Sequence, residues 1–174
     1  GKMFAMEHFG IVPDIMALAK GIASGMPLGA MVADADIMTW EAGSHASTFG
    51  GNPVSCKAAL ATIALLEEGL MANAVERGEQ LLAGLRELQL CFECMGDVRG
   101  LGLMIGVELV KDRHTKERAT IWRNEILQKA FHKGLLLLPC GENSVRFCPA
   151  LSISAEEVEV GLSIFEEALK EVAG

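Results

Sequence analysis

An α/β fold is predicted by three observations. Short apolar runs at Ile15–Ala19 and Leu28–Ala33 read as buried strands, Val98–Val110 alternates between two faces, and the segments separating them carry helical periodicities. At 174 residues and 51% hydrophobic content, the chain can build the core of one or two domains. A net charge of −8 and a pI near 5.0 argue against nucleic acid or an anionic membrane surface as the main partner. Any anionic substrate therefore needs a local cation.

Taken in order, Phe4–Phe9 reads as a short helix or turn, punctuated by Gly10 and Pro13 before the first strand. Lys20 follows that strand directly and opens a glycine-rich turn that ends at Gly29. Leu28–Ala33 is the second strand, and Asp34 and Asp36 begin a helical turn through Trp40. Residues 41–52 form a polar, glycine-rich loop containing His45, Ser47 and Thr48, and loops of this kind carry function more often than they carry the core. Asn52 is a good N-cap and Pro53 suits the first helical position. The helix they open has Val54, Ala58, Ala61 and Leu65 as its repeating face.

Gly69 bends or interrupts this helical stretch, and a second pattern with Leu81, Leu82, Leu85 and Leu88 on its apolar side runs to about Leu88. A domain boundary is expected here, dividing residues 1–68 from residues 69–174. Val98–Val110 is expected as a single strand with Leu101, Leu103, Ile105, Val107 and Leu109 on one face. Lys111–Arg118 reads as a solvated loop, and 117–133 as a helix ended by Gly134. Leu135–Leu138 is a short strand stopped by Pro139. In Ser144–Cys148 the alternation points Val145 and Phe147 one way and Arg146 the other. Ser154 and Glu157 form a capping box for a last helix with Val158, Leu162, Phe165, Leu169 and Val172 on one face.

No apolar run approaches the ~20 residues of a membrane span, and the opening segment has no hydrophobic core of a signal peptide, so a cytoplasmic location is expected. That opening reads as the interior of a longer chain. Five cysteines without a dense pattern favour reduced thiols. Cys91 and Cys94 form a C-x-x-C, but no second pair or nearby His completes a zinc set, so no metal is expected.

The residue with the most chemical potential is Lys20. A lysine delivered to a glycine-rich turn at a strand end can form a Schiff base with a carbonyl compound once its amine is neutral, or it can simply cap the strand at the surface.

Four segments carry a family resemblance: Pro13–Gly29, His45–Pro53, Val98–Leu109 and Val145–Leu151. Together, in this order and over nearly the whole chain, they resemble the class III aminotransferases, the ornithine, 4-aminobutyrate and related ω-aminotransferases of the pyridoxal-phosphate fold type I group. The resemblance implies that the chain is the C-terminal part of the large cofactor domain followed by the small α/β domain. In the family, the lysine of a Pro-Asp-Ile-(apolar)-Lys-Gly segment forms the imine with pyridoxal 5'-phosphate, which implies that role for Lys20. Ser47-Thr48-Phe49-Gly50-Gly51-Asn52-Pro53 matches the loop whose threonine reaches the cofactor phosphate of the neighbouring subunit, implying a phosphate role for Thr48 and Ser47 and a homodimer or dimer-based oligomer. Arg146 matches the arginine that receives a substrate carboxylate or pairs with a glutamate, although Pro149-Ala150-Leu151 stands where the family has Pro-Pro-Leu.

The family's pyridine-nitrogen aspartate, its phosphate cup and its ring-stacking aromatic residue lie upstream of this segment, so the chain by itself is expected to be inactive. Arg99, Gly100 and Gly102 resemble an architectural segment. His45 is left between a structural and a phosphate role. The expected activity is transfer of an amino group between an amino acid, of 4-aminobutyrate or other ω-amino type, and a 2-oxo acid. Two alternatives remain: an amino-acid racemase of the same fold, and a non-catalytic dimerisation or binding module.

Overall fold

Short loops and turns favour antiparallel pairing, and every strand pair in the computed structural model, which describes residues 1–173, is antiparallel. The fold is mixed α/β. Its contacts divide it into two compact units, Lys2–Met71 and the chain from Ala72 onward.

In the first unit, β1 (Ile15–Leu18) pairs with β2 (Ala30–Ala33), with Ile15 opposite Ala33 and Leu18 opposite Ala30. A 3-10 turn, Lys20–Ala23, leaves β1. Residues 34–40 make turns rather than a helix. Asn52 caps helix α1 (Pro53–Leu65), its Oδ1 accepting from the amides of Val54 and Ser55 at 3.0 and 3.2 Å.

The buried side of α1 is not the expected one. Ser55 and Ala59 are buried and Thr62 and Ile63 half-buried, whereas Val54 and Leu65 are exposed. Because the helix is apolar on all sides, its periodicity does not select a face. One 18-residue stretch within Pro53–Cys91 is long and apolar enough to cross a membrane by length and composition, although Glu67 and Glu68 interrupt it. A π turn, Leu66–Leu70, follows α1, and Gly69 within it leaves helical geometry.

In the second unit, helix α2 (Met71–Cys91) precedes a sheet of β3 (Met95–Leu101), β4 (Met104–Asp112), β5 (Glu117–Arg118), β6 (Leu138–Cys140) and β7 (Ser144–Phe147). The strand order is β3-β4-β7-β6, with β5 on β4. Residues 98–110, expected as one strand, are therefore a hairpin. Gly102, at φ +52 in the left-handed region, reverses the chain, and Leu101, expected on the apolar face, is instead exposed opposite Met104, because the two-residue turn shifts the inward positions from Val98 in β3 to Ile105, Val107 and Leu109 in β4. A Cβ on Gly78 of α2 would lie 2.4 Å from the Gly102 carbonyl, so the helix and this turn meet backbone to backbone.

Pro139, expected to end its strand, lies inside β6; an edge strand tolerates a residue without an N–H. Helix α3 (Thr120–His132) starts later than expected because Glu117 and Arg118 pair with β4. Helix α4 (Ala155–Ala173) begins with the expected capping box, in which the Glu157 carboxylate accepts from the Ser154 amide at 2.8 Å.

Leu81 and Leu85 from α2, Ile126 from α3, and Val158, Phe165 and Leu169 from α4 form one core with Ile105, Val107, Val145 and Phe147 of the sheet. Phe147 and Phe165 meet edge to face at 5.0 Å between centroids. The opposite sheet face carries Asp97, Arg99, Glu108, Ser144 and Arg146, none of them buried. Cys91 is an exposed free thiol at the end of α2; Cys94 is buried beyond it, and burial pushes its thiol up.

Candidate active site

Lys20 occupies an unusual piece of backbone. Ala19 is fully extended, and Lys20 then adopts φ +55, a left-handed conformation that a side chain enters at a cost on the order of 1 kcal/mol. The turn is secured locally: the Ile22 amide donates to the Ala19 carbonyl and the Ser24 amide to the Gly21 carbonyl. Ala23 is fully buried. Thr62 spends its hydroxyl proton on the Ala58 carbonyl at 2.9 Å, so in the 2.9 Å bond between the two hydroxyls Ser24 donates to Thr62. Lys20 itself is exposed and makes no ion pair among the described residues.

Ser47 and Thr48 lie in the same compact unit, in a loop folded on itself by bonds from the Gly50 amide to the Ser47 carbonyl and from the Asn52 amide to the Phe49 carbonyl. Both residues are exposed. Gly51, at φ +69, supplies the left-handed step that brings the chain into Asn52 and α1. Just inside the helix, the Ser55 hydroxyl is buried without a hydrogen-bond partner. His45 packs edge-on against Trp40 at 4.9 Å between ring centroids.

Arg146 belongs to the second unit. It is half-buried on the open face of β7, between Gly106 of β4 and Leu138 of β6, and its Nε is buried with no hydrogen-bond partner. A cavity of about 250 Å³ adjoins it, lined also by Leu81, Leu135, Leu137, Phe147 and Ile153. Arg99 lies in line with it across Gly106, but its guanidinium is committed to Asp97 at 2.5 Å, a hydrogen bond and charge that raise its pKa further. Of the two arginines in this row, only Arg146 offers an unspent fork to a carboxylate.

The structure thus groups Lys20, Ser47 and Thr48 in one unit and Arg146 in the other. One residue escaped the sequence reading. Arg123 of α3 is 7% exposed and donates to the carbonyls of Gly141 and Ser144. The available signal was its position three and seven residues before Ile126 and Ala130, a charge on the apolar stripe of a helix.

Comparison with known proteins places these features in company. The family model for class-III aminotransferases matches residues 1–169. The acetylornithine aminotransferase of Caldanaerobacter subterraneus subsp. tengcongensis is 39% identical over 99% of this chain and 42% of its own length. The leucine/methionine racemase of Thermococcus litoralis is 42% identical over 99% of this chain and 39% of its own. An amine transaminase structure from an uncultivated Pseudomonas species, with pyridoxal phosphate bound, superposes with a TM-score of 0.90 at 33% identity, over 98% of this chain and 41% of that one. The chain spans about two fifths of the length of the relatives it matches.

Proposed function

The chain belongs to the class-III aminotransferase family, a family of enzymes, and from that premise we propose that it carries the lysine, the phosphate loop and the carboxylate-binding arginine of a pyridoxal-phosphate-dependent aminotransferase. The reaction moves an amino group between an amino acid, of 4-aminobutyrate or other ω-amino type, and a 2-oxo acid. The observation that carries this reading is Lys20, held at a strand end in a left-handed conformation, exposed and without an ion pair among the described residues.

The residues present fit the cofactor. Lys20 provides an accessible primary amine for its aldehyde, Ser47 and Thr48 provide exposed hydroxyls for its phosphate, and the unpartnered Nε of Arg146 suits a substrate carboxylate. When bound, the cofactor supplies the electron sink that stabilises a carbanion at substrate Cα. Lys20 would hold the cofactor through Nζ and would move a proton at substrate Cα. Ser47 and Thr48 would donate hydrogen bonds to phosphate oxygens, Thr48 to those of the neighbouring subunit, which would make a homodimer the functional unit. Arg146 orients the substrate by its carboxylate.

In the full-length protein loaded with pyridoxal phosphate, Lys20→Ala is expected to abolish both the visible absorbance of the bound cofactor and the adduct trapped by borohydride. A reducible adduct that survives in Lys20→Ala sinks the assignment. Mixing Lys20→Ala with Thr48→Ala subunits tests the dimer: because each hybrid keeps one intact site, about a quarter of the sites should recover, and no recovery argues against a shared site.

The 42% identity to a leucine/methionine racemase favours one second reading, an amino-acid racemase working through the same lysine. Incubation with a single enantiomer separates the two, since racemisation proceeds without a 2-oxo acid and amino transfer does not.

A further inference from the structure

Arg123 is a buried cation in a place where an apolar residue would pack at less cost. It shares the inward stripe of α3 with Ile126 and Ala130, and no carboxylate pairs with it among the described residues. Burying an unpaired guanidinium is unfavourable unless hydrogen bonds replace its hydration. Here they come from one small region. Nε donates to Asn124 Oδ1 at 2.8 Å, and Nη1 reaches the carbonyls of Ser144 at 3.2 Å and Gly141 at 3.4 Å. Gly141 lies in the turn between β6 and β7, and Ser144 is the first residue of β7.

That hairpin needs an external tie. β6 has three residues and lies at the sheet edge against β7, with Pro139 at its centre, so few ladder bonds hold it. On its inner side the turn is clamped to β4, with the Asn143 side chain donating to the Leu109 carbonyl at 2.6 Å and the Leu109 amide to the Asn143 carbonyl at 2.9 Å. Arg123 supplies the second clamp, from the helix side. Two residues after Ser144 stands Arg146, whose guanidinium has no ion-pair partner among the described residues to hold its direction. The backbone of β7 therefore decides where that guanidinium is offered.

We propose that Arg123 is a positioning residue for Arg146: by tying the Gly141 and Ser144 carbonyls to α3, it holds the β6–β7 hairpin so that the Arg146 guanidinium is presented to a substrate carboxylate. The inference rests on the carboxylate role of Arg146 stated above.

The test uses the cofactor-loaded, full-length protein and two amino donors that differ only in the carboxylate, 4-aminobutyrate and propylamine. In Arg123→Met the ratio of the KM for 4-aminobutyrate to that for propylamine should rise about tenfold, and the calorimetric Kd for the unreactive carboxylate valerate should rise by the same factor. Arg123→Lys, which keeps a donor, should recover part of the loss. Asn124→Ala, a surface change that releases the Arg123 Nε, should reproduce a smaller rise and decides the matter if Arg123→Met does not fold. Equal KM increases for both donors overturn the proposal, because loss of general structure would not single out the carboxylate. If Arg146→Met weakens valerate binding while the Arg123 and Asn124 variants do not, this inference alone fails. If Arg146→Met leaves valerate binding unchanged, the carboxylate reading of Arg146 fails first, and this inference with it.

Discussion

Lys20 and Arg146 are both cations without an ion-pair partner among the described residues, yet the regions that carry them are built by opposite means. In the unit that holds Lys20, the buried residues are Ala23, Ser55 and Ala59, and the chain is shaped by turns, left-handed residues and a helix cap. In the unit that holds Arg146, a continuous core runs from Leu81 through the sheet to Leu169. The placement of Lys20 is therefore a matter of local backbone chemistry. That of Arg146 depends on side chains far apart in sequence.

The largest effect that sharpens this contrast is expected from Phe165→Ala. Phe165 is fully buried against Phe147, and its removal should cost about 3–5 kcal/mol, by lost transfer energy and a residual cavity. Urea unfolding of the full-length protein measures the loss, and hydrogen exchange locates it. Amides of residues 105–147 should lose protection while those of residues 15–33 keep theirs. Equal loss in both regions breaks the comparison.

A smaller effect should arise in the other region. Asn52→Ala removes the acceptor for the Val54 and Ser55 amides, which costs about 1 kcal/mol for a cap of this type. Exchange should speed up in the first turn of α1 and in the adjoining Ser47–Asn52 loop, with cofactor phosphate affinity falling alongside. Unchanged exchange there would mean that the loop is held by something other than its cap.

The smallest effect concerns charge on the second unit's surface. The Ser154 amide and hydroxyl hold the Glu157 carboxyl below the usual carboxylate range, as the Thr115 amide does for Asp112 and Lys129 and Lys133 do for Glu171. A depressed folded-state pKa adds stability that is present above the unfolded pKa and is lost as pH falls through the folded one. The urea midpoints of the wild type and Glu157→Gln should therefore differ slightly at neutral pH and converge below about pH 4. A difference that persists in acid points to packing instead.

Much of the architecture is legible in local chemistry. The Asn52–Pro53 helix start, the Ser154–Glu157 capping box and the opposed directions of Val145 and Arg146 all follow from neighbouring residues, and the structure has each of them. Other features are not legible for identifiable reasons. Val98–Val110 alternates like one strand because Leu101 and Leu103 carry the period-two pattern through the turn in sequence, although the turn buries Leu103 and leaves Leu101 exposed opposite Met104. The inward side of α1 is hidden by its all-round apolarity, and the 3-10 start at Lys20 by the freedom of the glycines around it.

What the sequence by itself determined is the kind of element at most positions and the ordered set Lys20, Ser47, Thr48 and Arg146 that resembles an aminotransferase. These depend on period, capping chemistry and order along the chain. What only the tertiary structure decided is how each cation is used: Arg99 is spent on Asp97, Arg123 is buried against the carbonyls of a hairpin 18 and 21 residues further on, and Arg146 is left with an unpartnered Nε. Pairing across a sheet and between helix and hairpin brings together residues whose separation carries no periodic signal, so partner choice exists only once the chain has folded.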